Sequence, residues 1–198
     1  MSLLRPLAAS DPRPELGEPR VSGAESEEAE LVRRAPGDPG AFADLYRRHS
    51  PAIQRYLRRR LGDPHLVEDA VAETFLEAWR GIARYEARGL PFRSWLYRLA
   101  TSRAHRHWRK AARLGMKELR VEPATEEEAG GLRLEVARAC LLKLAPRYQD
   151  VLVLHHVEGL TVEECAATLG CRPGTIKSRL ARGREALRRR MEALEEGR

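Results

Sequence analysis

Residues 161–190 read TVEECAATLGCRPGTIKSRLARGREALRRR, and few local folds accept that order. Thr161 and Glu164 are spaced as a capping box, the hydroxyl accepting from a first-turn N–H and the carboxylate reaching back to the cap. Val162, Cys165, Ala166 and Leu169 then fall on one helical face. Gly170 supplies a left-handed stop, and Pro173 presets the first turn of a second helix. Two short helices joined around a glycine make a helix-turn-helix. On the second helix Ile176, Leu180, Gly183 and Leu187 share the inward face. Ser178, Ala181, Arg182 and Glu185 lie opposite, flanked by Lys177, Arg179, Arg184 and Arg188. From Arg172 to Arg190 eight basic residues stand against one acid. A basic outer face with small residues over an apolar stripe suits the DNA major groove. A solvated basic helix would explain the charge but not the capping and the turn.

A second basic stretch lies upstream. Between Arg88 and Arg113 there are eight basic residues and no acid, interleaved with Phe92, Trp95, Tyr97 and Trp108. Guanidinium groups and rings together suit single-stranded nucleic acid, where phosphates pair and bases stack. Trp95 reads more simply as core, and Trp108 equally well as a packing or a stacking residue. Ahead of this stretch Asp63-Pro64 predicts an N-cap and first helical residue, opening a helix to about Gly81. Val67, Val71, Phe75 and Ala78 face inward on it, while Asp69, Glu73 and Glu77 form a row at four-residue spacing. That row is either a docking face or a solvated one. A helix beginning near Ala41 with Phe42, Leu45 and Tyr46 precedes it, and a further stretch after Pro51 carries Ile53, Tyr56, Leu57 and Leu61.

No segment of strand period appears. The expected fold is all-α: two small helical domains joined by a flexible acidic linker, the C-terminal one holding the helix-turn-helix. Residues 1–36, rich in Pro, Glu, Ala and Gly, predict a disordered N-terminal extension. Residues 37–111 form the first domain and 135–194 the second. Between them, 112–134 carries Glu118, Glu122, Glu126, Glu127, Glu128 and the pair Gly130-Gly131, the composition of a tether.

Net charge is +7 and the isoelectric point about 9.8, which favours a polyanionic partner. Cys140, Cys165 and Cys171 have no CxxC spacing and read as ordinary thiols in a reducing compartment. The pairs His105/His107 and His155/His156 lack further ligands at suitable spacing, so neither a metal nor a cofactor is expected. No apolar run approaches the ~20 residues of a membrane span, and the N-terminus has no apolar stretch typical of a signal peptide. The expectation is a cytoplasmic protein without membrane insertion.

Two segments carry a family resemblance. DAVAETFLEAWR at 69–80, followed by LPFRSWLYRLATSRAHRHWRK at 90–110, resembles the first conserved domain of extracytoplasmic-function sigma factors, the fourth group of the sigma-70 family. LLKLAPRYQDVLVLHHVEGLTVEECAATLGCRPGTIKSRLARGREALRRR at 141–190 resembles their C-terminal promoter-reading domain, most specifically at Pro173 to Leu180. The resemblance implies an alternative sigma factor that binds core RNA polymerase and directs promoter-specific initiation, without catalytic residues of its own. Residues 37–111 would be region 2 and 135–194 region 4. Asp69, Glu73 and Glu77 would bind the clamp helices of the largest polymerase subunit, and region 4 would approach the flap. Arg88, Phe92, Arg93, Arg98, Ser102 and Arg103 would hold the melted −10 strand, with the loop from Tyr85 to Pro91 capturing a flipped base. Arg172, Thr175, Lys177, Ser178, Arg179, Arg182 and Arg184 would read the −35 duplex. An anti-sigma protein is a further implied partner. Ser102 stands where the family usually has asparagine, and Arg106 where an acid is often found.

Two other classes compete. A one-component helix-turn-helix regulator would bind duplex without polymerase, but it leaves the acidic row and the basic-aromatic helix unused. A metal-dependent nuclease could use the carboxylates of Asp69, Glu73 and Glu77, but they stand on one helix with no acids from elsewhere to complete a site.

Overall fold

The computed structural model describes residues 23–61, 63–86, 91–113 and 132–196, and every regular element among them is helical. The N-terminal module comprises α1 (Gly23–Arg34), α2 (Pro39–Leu61), α3 (Pro64–Gly81) and α4 (Phe92–Arg113), with a 3₁₀ turn at Ile82–Arg84 after α3. The C-terminal module comprises α5 (Leu132–Leu142), α6 (Pro146–Leu152), α7 (Val162–Leu169) and α8 (Pro173–Glu196).

The predicted punctuation is where the structure bends. Asp63 caps α3, its carboxylate accepting from the N–H groups of His65 and Leu66, with Pro64 opening the helix. Thr161 and Glu164 form both halves of the capping box on α7. Gly170 ends α7 at φ +64°, a conformation that costs a side chain dearly and glycine little. Gly183 is the contact point of α6 and α8: a Cβ there would lie 3.3 Å from the side chains of Leu152 and Tyr148. Three features differ from expectation. Residues 23–34, expected to be disordered, form α1. Pro51 does not divide the chain into two helices but lies inside α2. It removes one ladder hydrogen bond, yet Leu45 on one side and Ile53 and Leu57 on the other are all buried against α3 and α4, so packing carries the helix through. A π turn at Val153–Val157 follows α6, where His155 Nδ1 lies 2.8 Å from the carbonyl of Leu160.

α1 is held by charge. Glu27 accepts from Arg48 at 2.6 Å, and Glu28 lies 3.0 Å from His49 Nε2. The hydrogen bond to His49 holds the Glu28 carboxyl below its ordinary value, against the opposing effect of burial. A carboxyl depressed in the folded state stabilises it fully above the unfolded value near 4.5 and loses that contribution as pH falls below it. Hydrogen exchange across α1 should therefore accelerate as pH drops from about 5 toward 3, after correction for intrinsic rates. In Glu28→Gln that pH dependence should flatten; an unchanged profile would remove Glu28 from the docking of α1.

The two modules pack against each other, a placement that composition alone left open. α4 lies along α7, and the C-terminal end of α2 meets α5. Buried Arg60 of α2 reaches into the C-terminal module, donating to Asp150 Oδ1 at 2.5 Å and to Gln149 Oε1. Gln149 is itself held in place by donating to the carbonyls of Leu142 and Leu144.

Candidate nucleic-acid interface

The C-terminal face is built as the sequence predicts. Ile176, Leu180 and Gly183 are buried, and Leu187 is half-buried. Arg172, Lys177, Ser178, Arg182 and Arg184 are exposed on α8, while Thr175 and Arg179 are half-buried. Ser178 Oγ returns a 3.0 Å hydrogen bond to the carbonyl of Thr175, and Arg179 Nη1 lies 4.0 Å from Cys171 Sγ. Arg182 lies beside Tyr148, whose phenol is lowered from its ordinary value by Arg147 first and by Arg182 in part. Further along, Glu185 pairs with Arg188 and Arg189, so the first half of α8 carries the less neutralised charge. A helix with an exposed cationic face, seated on a buried stripe, can enter a major groove without unfolding its own support.

The N-terminal face divides the predicted strand-binding residues. Arg93, Arg98 and Ser102 are exposed on α4. Phe92 is not a surface group: it is 4% exposed, and its ring packs edge-on against Tyr85 and His49. It packs against Tyr85 rather than presenting itself to a ligand. Arg103 also faces inward, toward α3, where it pairs with Glu73 at 3.5 Å and with Glu77. Its spacing on α4 matched that of Arg93 and Arg98 in sequence, but the α3–α4 crossing turns this turn of the helix onto the acids. Arg88 lies outside the described residues. Trp95 is half-buried and stacks at 4.9 Å on Tyr85. Together with Arg84, Glu86, Ser94 and Arg98 these rings line a cleft of about 320 Å³, to whose lining Ala167 and Thr168 of α7 also contribute. Trp108 is a packing residue: its indole donates to the Arg60 carbonyl at 3.0 Å, and the Arg60 guanidinium lies over its ring.

On α3 the acidic row is in place, with Asp69 exposed and Glu73 and Glu77 half-exposed beside Arg103. Three apolar side chains to which the sequence reading gave no docking role share this region: Tyr46 at 44%, Leu76 at 48% and Trp79 at 40% exposure. Tyr46 packs on Phe75 and Trp79 on Phe42, so their rings are fixed while their outer edges stay in water. The available signal was that Leu76 and Trp79 sit three apart on the α3 face that carries Asp69 and Glu73. Exposed large apolar groups beside acids mark a protein-docking face more than a solvated one.

Comparisons with known proteins cover both modules. The family description Sigma-70 region 2 matches residues 45–114, and Sigma-70, region 4 matches residues 134–187. RNA polymerase sigma factor CarQ of Myxococcus xanthus is 35% identical over 83% of this chain and 97% of its own length. ECF RNA polymerase sigma factor SigE of Mycolicibacterium smegmatis is 34% identical over 78% of this chain, which spans 64% of that relative. Among solved structures, CnrH in complex with the cytosolic domain of CnrY superposes with a TM-score of 0.65 at 27% identity, covering 84% of this chain and 98% of CnrH.

Proposed function

Because the chain belongs to the extracytoplasmic-function sigma factors of the sigma-70 family, we propose that its modules divide promoter recognition between them. The C-terminal module reads −35 duplex through α8, with Arg182 and Ser178 toward base edges and Arg172, Thr175, Lys177, Arg179 and Arg184 toward phosphates. The N-terminal module holds the melted −10 strand between the Tyr85–Trp95 rings and the guanidinium groups of Arg93 and Arg98. Asp69, with Leu76 and Trp79 beside it, docks on the clamp helices of core polymerase, and Glu73 and Glu77 do so while also fixing Arg103. The observation that carries this reading is the coexistence, in one chain, of a basic groove-reading helix and a ring-lined cationic cleft. A duplex-only regulator uses the first and has no use for the second. RNA synthesis itself belongs to polymerase; this chain positions it. A regulatory protein that restrains the factor is part of the proposal, supported by CnrH having been solved with the cytosolic domain of CnrY.

The test of the strand role is permanganate reactivity of thymines in promoter complexes formed with core polymerase. Arg93→Ala/Arg98→Ala should form closed complexes normally but melt the −10 segment roughly three- to tenfold less, with a shallower dependence on added salt. Normal melting by that variant would reject the assignment.

A further inference from the structure

We infer, on the basis of the strand-holding role proposed above, that His49 of α2 is a positioning residue for the melted −10 strand. Held by Glu28 of α1, it fixes Phe92, and through Phe92 it sets the Tyr85–Trp95 ring pair on which bases stack.

His49 is gripped from two sides. Its side chain is 12% exposed, and Nε2 lies 3.0 Å from Glu28 Oε2. A carboxylate only accepts, so Nε2 carries the proton and donates it. A hydrogen bond to an ionised acceptor is the stronger kind, and it gives the imidazole a fixed direction. The ring then meets Phe92 at 5.5 Å between centres, with the planes inclined at 63°, an edge-to-face contact.

Phe92 passes that order on. It contacts Tyr85 and Trp95 as well as His49, each at 5.5 Å between ring centres. Tyr85 and Trp95 in turn stack on each other at 4.9 Å, and both line the cleft. Trp95 also lies against Gly81, where a Cβ would come 3.3 Å from the indole. Rings that are fixed before the strand arrives lose little freedom when it binds, so affinity rises without an added contact.

Charge follows the same route. Glu28 stands within electrostatic reach of Arg93, and the Tyr85 phenol is raised by burial first and by Glu28 second. One acid of α1 thus acts on a guanidinium and a ring of the strand surface as well as on His49. Leu31 and Val32 give α1 apolar contacts with the core, but these carry no direction. The Glu28–His49 bond does, and it orients a ring whose next neighbours but one hold the strand.

The test uses core polymerase with the full chain, on a promoter recovered by transcription with this chain and pre-opened by mismatches across its −10 segment. Competition against a fluorescent copy over a salt series gives the affinity for the opened strand. His49→Gln keeps a donor for Glu28 and removes the ring. It should weaken affinity about fivefold, the loss of one edge-to-face contact, with the salt slope unchanged because no phosphate contact is removed. In a Trp95→Leu background the same substitution should cost less than about twofold, since the ring it positions is gone. Glu28→Ala keeps the imidazole but releases it, and should weaken affinity about two- to threefold, again without changing the salt slope. That variant carries the test if His49→Gln does not fold. Unchanged affinity, a loss as large with Trp95→Leu as without it, or a shallower salt slope would each overturn the positioning role. Equal affinity for wild type and Trp95→Leu would instead overturn the strand-holding reading, so the two failures are distinguishable.

Discussion

Asp69→Lys combined with Leu76→Asp is expected to weaken capture of core RNA polymerase more than about 100-fold while leaving urea unfolding unchanged. Asp69 is exposed and Leu76 is 48% exposed. The ion pairs of Arg103 run to Glu73 and Glu77, so the substitution alters the docking face while keeping both of them. One change reverses a charge opposite a basic partner, and the other puts a carboxylate into the apolar centre of the patch; each is costly in a desolvated contact. Glu73 and Glu77 are poorer probes. Both pair with Arg103, which is 12% exposed in its side chain, so their reversal would mix lost docking with lost packing. Gel filtration of the folded double variant with core polymerase is the check. Co-elution at the wild-type ratio would remove this face from the interface.

Arg182→Ala is expected to cost about 1–3 kcal/mol and to relax preference at one −35 position. Arg182 is exposed on the face of α8 opposite buried Ile176 and Leu180, so its guanidinium can leave the Tyr148 phenol for a base edge. Lys177→Ala should weaken all promoters alike and lower the salt slope by about one. Competition among −35 variants for the polymerase-bound factor, at several salt concentrations, separates the two. A uniform loss for Arg182→Ala would make it a phosphate contact and reverse this division of the helix.

Local chemistry was legible wherever one segment decides its own structure. The Thr161 capping box, the Asp63-Pro64 start, the Gly170 stop and the inward stripe of α8 follow from spacing within a turn or two. What sequence could not rank were effects decided by a neighbouring element. Pro51 stays inside α2 because α3 and α4 pack on both sides of it. Arg103 resembles Arg93 and Arg98 along α4, yet the crossing with α3 gives it to Glu73 and Glu77. Phe92 is an aromatic in a basic run, as a stacking residue would be, but Tyr85, His49 and Trp95 enclose it. Arg60 in a run of arginines looks solvated, and only the packing of the modules makes it the most buried charge of α2. α1 was missed because its composition is polar; it is held through Glu27 and Glu28 rather than by an apolar stripe alone.

The central claim is that this chain turns core polymerase into a promoter-selective enzyme. Its most direct test is transcription in vitro by core polymerase on a library of promoter fragments, with and without the chain. The account predicts transcripts from a discrete subset of fragments that share paired −35 and −10 sequences, present only when the chain is added. Transcription unchanged by the chain, together with sequence-specific duplex binding in the absence of polymerase, would contradict it.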